Sequence, residues 1–154
     1  MKRFTRFVVL VLVVMTVCSI MPSAFAASKT SKGVGTTSYT ITTGKKDATL
    51  TVTNKAGKVN ATVWKNPLKG TTKTKTLTHY GAFEITVKNG INKQTKSINY
   101  PFNETAKFTL QKNSTYTVTI RYTGFSNYIN MGWDPVWKTN PSVKLSVNNS
   151  AKIK

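Results

Sequence analysis

Residues 115–122 read Thr-Tyr-Thr-Val-Thr-Ile-Arg-Tyr. Tyr116, Val118, Ile120 and Tyr122 alternate with polar neighbours, the period of two that marks a strand with one buried face. β-branched Val, Ile and Thr favour the same conformation. The pattern recurs on both sides. Tyr39 and Ile41, then Ala48, Leu50 and Val52, then Val59, Ala61 and Val63, then Phe83, Ile85 and Val87 precede it along the chain, with Ala106, Phe108 and Leu110 just ahead of it. Val143, Leu145 and Val147 follow it. Turn-forming clusters separate the runs at 44–47, 54–57, 66–70 and 111–114, and Asn89-Gly90 is a strong short hairpin signal. No stretch carries a helical stripe. Strands at about ten-residue spacing predict an all-β, antiparallel fold, a sandwich in preference to a barrel, jelly-roll or immunoglobulin-like, with about eight or nine strands.

The N-terminus is set apart from that fold. Lys2, Arg3 and Arg6 precede an apolar run from Phe7 to Val17, and Met21-Pro22-Ser23 leads to Ala24-Phe25-Ala26, an A-x-A cleavage signature. This is the layout of a secretory signal peptide over residues 1–26; the apolar run is short for a membrane span of about 20 residues. Residues 27–37 are Ser, Thr, Gly and Lys with little to bury, and read as a flexible leader. The domain is then expected over 38–147, with 148–154 as a basic tail. The sole cysteine, Cys18, lies in the signal segment. A secreted domain without disulfides points to export from a single-membrane bacterium, to the extracellular space or the cell wall.

Composition narrows the function classes. The chain of 154 residues has 23 Lys and Arg against four Asp and Glu, a net charge of +19. Removing residues 1–26 takes away Lys2, Arg3 and Arg6 and leaves +16 on 128 residues. That exceeds the range of about 2 to 8 units that suffices for solubility. Arg121 is the one arginine after the signal segment. Lys is a point charge, whereas Arg supplies the bidentate fork of base and phosphate recognition. The balance argues for diffuse attraction to a polyanion and against sequence-specific nucleic-acid reading.

Catalytic raw material is scarce. Asp47, Glu84, Glu104, Asp134 and His79 are the candidate acids and bases, and no serine sits in a nucleophile motif. One His without Cys is too little for a typical transition-metal site. His79, in His79-Tyr80-Gly81, reads as a surface turn residue. The expectation is a non-enzymatic protein without cofactor or metal.

The candidate ligand-binding residues lie in the aromatic stretch 122–137: Tyr122, Phe125, Tyr128, Trp133 and Trp137, beside Asn127, Asn130 and Asp134, with Trp64 as an outward partner. Rings beside amides suit a sugar-binding face, and Tyr and Trp also suit interfaces and lipid headgroups. Trp133 shares an alternating set with Ile129 and Met131 and is expected to be buried; Trp137, beside Pro135 and Lys138, is expected to be exposed. Lys73, Lys75, Arg121 and Lys138 are the expected polyanion contacts. Lys73 and Lys75 lie in 71–78, read as an edge strand guarded by lysines. The leading expectation is a secreted cationic protein binding anionic envelope polymers such as teichoic acid. The alternatives are a carbohydrate-binding module using the 122–137 rings, and an antimicrobial or toxin-like protein acting on anionic membranes.

Overall fold

The computed structural model describes residues 27–126 and 132–154. The signal peptide expected over 1–26 lies outside the described residues, as do Asn127, Tyr128, Ile129, Asn130 and Met131.

The period-two runs form antiparallel strands, and the described residues contain no α-helix. There are twelve strands among them: β1 Ala27–Lys32, β2 Thr36–Thr42, β3 Ala48–Lys55, β4 Gly57–Asn66, β5 Thr71–His79, β6 Gly81–Asn89, β7 Asn92–Ile98, β8 Thr105–Leu110, β9 Thr115–Phe125, β10 Trp133–Thr139, β11 Ser142–Val147 and β12 Lys152–Ile153. They make a four-stranded sheet of order β1-β11-β3-β8, a five-stranded sheet of order β12-β2-β9-β6-β7, and a three-stranded sheet of order β10-β4-β5. The inward residues of the first two sheets fill one buried cluster; Leu50, Val52, Phe108 and Leu145 come from one, and Ile41, Ile85, Val118 and Ile120 from the other. Burying these side chains is the main force holding the two layers together, at roughly 1.5–3 kcal/mol for each large one.

The strand count exceeds the expected eight or nine, for identifiable reasons. Residues 27–32, expected to be a leader, pair along their whole length with β11 at the sheet edge, with Ala27 packed on the core and Ser31 buried. Backbone hydrogen bonding and small side chains hold this strand, so a search for apolar residues misses it. The expected tail likewise joins the core: Ala151 and Ile153 are buried, and Lys152–Ile153 pairs with Ile41 and Thr42. The hairpin at 89–92 has the expected two-residue loop, offset by one. Asn89 pairs with Asn92, and the loop is Gly90-Ile91, with Gly90 at φ 55 where a side chain would strain the turn.

The three-stranded sheet grows out of the other two. One residue, Ala56, separates β3 from β4, and one, Tyr80, separates β5 from β6. The chain leaves the four-stranded sheet along β4, turns at Pro67–Lys69, and returns along β5 into the five-stranded sheet. At the first bend Gly57 is required by close approach, since a Cβ there would lie 2.2 Å from the Thr139 carbonyl oxygen. The result is a wing, with β5 at its edge as the lysine pattern predicts.

Candidate functional site

The wing has two unlike faces because cross-strand partners share a side. Val59, Ala61 and Val63 of β4 pair with Leu77, Lys75 and Lys73 of β5. Lys58, Asn60, Thr62 and Trp64 pair with Thr78, Thr76, Thr74 and Thr72. The first face is packed. Val59 and Ala61 are fully buried, with Phe125 and Trp137 against them. The second is polar: Lys58 Nζ donates to Thr78 Oγ1 at 2.7 Å and Thr76 Oγ1 donates to Asn60 Oδ1 at 2.7 Å.

The aromatic stretch divides between these faces. Phe125 and Trp137 stack with centroids 4.7 Å apart and planes 19° apart. Trp137 Nε1 donates to the Tyr122 hydroxyl at 2.9 Å, and Tyr122 meets Phe83 edge-on at 5.6 Å. Burial pushes the Tyr122 phenol above its ordinary value, while the Trp137 hydrogen bond pulls the other way. His79 joins this group. It is half-buried, its ring lies 6.1 Å from Phe125 and 6.5 Å from Trp137, and its Nε2 donates to the Ser126 carbonyl. The surface-turn reading of His79 is therefore corrected: it ends β5 on the side that faces Phe125.

The two tryptophans exchange their expected places. Trp137 is half-buried and pairs with Val59; Trp133 is 38% exposed and pairs with Thr62. An irregularity between Trp133 and Val136, with Asp134 at φ 49, resets the alternation and turns the rings to opposite faces. Trp133 meets Trp64 edge-on at 5.0 Å, and Trp64 is 51% exposed. The outward partner expected of Trp64 is thus Trp133 alone among the described rings of the stretch. Tyr128 lies outside the described residues.

The cations do not gather in one groove. Lys55, Lys107 and Lys144 are exposed on the outward face of the four-stranded sheet, and Lys88, Lys93 and Lys152 on that of the five-stranded sheet. Lys45, Lys46 and Lys112 flank the turn where Asp47 Oδ1 accepts from the Lys112 amide at 2.8 Å. Lys58, Lys65, Lys69, Lys73, Lys75 and Lys138 are exposed on the wing. Arg121 differs from the other expected contacts. Its Nη2 lies 3.2 Å from Glu84 Oε1, the one ion pair among the described residues. Lys96 bridges the open side between β7 and β8, donating from Nζ to the Lys107 carbonyl above the Phe108 ring.

The acids occupy separate places: Asp47 in a turn, Glu84 on a sheet face, Glu104 in the loop before β8, and Asp134 at the irregularity in β10. Among the described residues no three His, Cys, Asp or Glu gather as metal ligands, and no helix is long and apolar enough to cross a membrane. Sequence reasoning missed a cleft of about 440 Å³ at the opposite end from the wing, lined by Asn89, Asn92, Gln94, Gln111 and Tyr116 among others. These residues come from separate segments, so no local motif announces them. Comparison with protein-family models, characterised proteins and solved structures finds no match to this chain.

Proposed function

We propose that this chain is a secreted, non-enzymatic cationic protein that binds anionic polymers of the bacterial cell envelope, such as teichoic acid. The observation that carries this reading is the imbalance of charge. Exposed lysines stand on both outward sheet faces, at the turn around Asp47 and on the wing, while a single ion pair forms among the described residues. The even spread of the lysines counts against a dedicated polyanion groove; what supports the reading is the size of the excess, +16 on the 128 residues after the expected signal segment. The expected carbohydrate alternative loses support, because Tyr122, Phe125 and Trp137 are engaged with one another rather than presented to solvent.

The scaffold in this reading is a jelly-roll sandwich. The shared core of the two larger sheets supports it. So does strand order. With the wing strands and β12 set aside, the remaining eight run first-eighth-third-sixth in one sheet and second-seventh-fourth-fifth in the other.

Binding to purified teichoic acid should weaken steeply between about 50 and 200 mM salt, because association releases condensed counterions. Replacing Lys73, Lys107 or Lys144 singly with Ala should each lower the salt slope by a similar amount, up to about one. A flat salt response with retained affinity overturns the reading. Intact mass of the exported chain, expected to begin at Ala27, tests the secretion half.

A further inference from the structure

The free end of the wing carries an arrangement that polymer binding does not use. Leu68 is 98% exposed, yet the turn that holds it is well formed: Asn66 Oδ1 accepts from the Lys69 amide at 3.2 Å, and the Gly70 amide donates to the Pro67 carbonyl at 3.2 Å. The same end holds the exposed Trp64–Trp133 pair. Lys65, Lys69 and Lys73 flank these residues, with Asp134 the opposing carboxylate. β4 is ten residues long, so its far end stands about 30 Å along the strand from the bend at Gly57.

We propose that the wing tip docks on an anionic lipid bilayer, with Leu68 entering the acyl boundary, Trp64 and Trp133 at the headgroup level and the lysines on anionic headgroups. Each part matches a property of that boundary. An aliphatic side chain gains by leaving water. Indole rings favour the interface, being apolar with one polar edge. Lysines near an anionic leaflet are attracted and keep their ammonium groups in water. A sugar platform has use for the two rings but none for a leucine held clear of them on an ordered turn. The proposal adds a lipid partner to the polymer reading; it shares the wing lysines with that reading and is set apart from it by Leu68, Trp64 and Trp133.

The molecule supplies its own control. Ile91, at the β6–β7 turn, is 96% exposed and flanked by Lys88 and Lys93, but has no tryptophan beside it. The test is co-sedimentation of the purified protein with vesicles of equal phosphatidylglycerol and phosphatidylcholine, against phosphatidylcholine alone and against soluble polyphosphate. Leu68→Ser should lower partition to the anionic vesicles about tenfold and leave polyphosphate binding unchanged, while Ile91→Ser changes neither. Tryptophan emission should shift to the blue on adding anionic vesicles, and the shift should be lost in Trp64→Phe/Trp133→Phe. The proposal is overturned if Leu68→Ser partitions like the wild type or if Ile91→Ser loses as much. Retention on insoluble cell-wall glycan that needs Trp64 and Trp133 but not Leu68 also overturns it, in favour of a sugar platform. Leu68-dependent vesicle binding without polyphosphate binding would remove the polymer reading and leave this one standing.

Discussion

Asn54 Nδ2 donates to the Gly81 carbonyl at 2.8 Å, joining the end of β3 in one sheet to the start of β6 in the other. Ser126 Oγ donates to the same oxygen at 2.7 Å and accepts from the Tyr100 amide at 3.1 Å. This buried knot lies where the wing leaves the two larger sheets. Asn54→Ala should lower unfolding free energy by about 0.5–1.5 kcal/mol, the net worth of one hydrogen bond. The Gly81 carbonyl keeps the Ser126 hydroxyl, and the buried Asn54 Oδ1, which has no partner among the described residues, is removed as well. Asn54→Ala and Ser126→Ala together should cost more than their sum, because either donor alone still serves the carbonyl and only the double variant leaves it without a side-chain donor. Urea titration of the two single variants and the double variant measures this; strict additivity would mean that the carbonyl is not shared.

The tryptophans offer a sharper contrast. Trp137→Ala removes a half-buried ring stacked on Phe125 and bonded to Tyr122, and should cost about 3 kcal/mol, the lower end for such a truncation. Trp133→Ala removes a ring that touches Trp64 in solvent, and should cost no more than about 1 kcal/mol. Denaturant midpoints compare them directly. An equal loss at both positions would contradict the opposite facing of the two rings.

Tyr122 gives a prediction in pH. Burial raises its phenol above the ordinary value of 10.0, partly offset by the Trp137 N–H. Below about pH 10 the phenol is neutral in folded and unfolded chains alike, and its contribution to stability is intact. Above that, the unfolded chain ionises first, so stability falls as pH rises through the folded value. Tyr122→Phe should flatten this part of the alkaline decline, read as the wild-type minus variant difference in urea midpoint from pH 9 to 11. Parallel declines would mean that the phenol titrates as it does in water.

The strands were legible where side chains alternate in polarity. Leu50 and Val52, or Ile85 and Val87, point inward because water is excluded from one side of each sheet, and that regularity is written in the sequence. β1 was hidden because its pairing with β11 depends on backbone groups that every residue possesses. The Trp133 and Trp137 exchange was hidden because an irregularity at Asp134 resets the alternation between the two rings. The wing could not be read from composition at all. Val59, Ala61 and Val63 carry the same alternation as the core strands, yet after the bend at Gly57 they pair with β5 and β10 in a third sheet.

The passage of β3 into β4, and of β5 into β6, has a mechanical corollary. A pull applied at residues 67–70 runs down two strands that enter different layers of the body, so tension is divided between both sheets. It acts along the strands, across ladders in which β3 is flanked by β11 and β8, and β6 by β9 and β7. Loaded in that direction the rungs must slide together rather than peel one at a time, and a protein tethered by its tip would bear drag as shear.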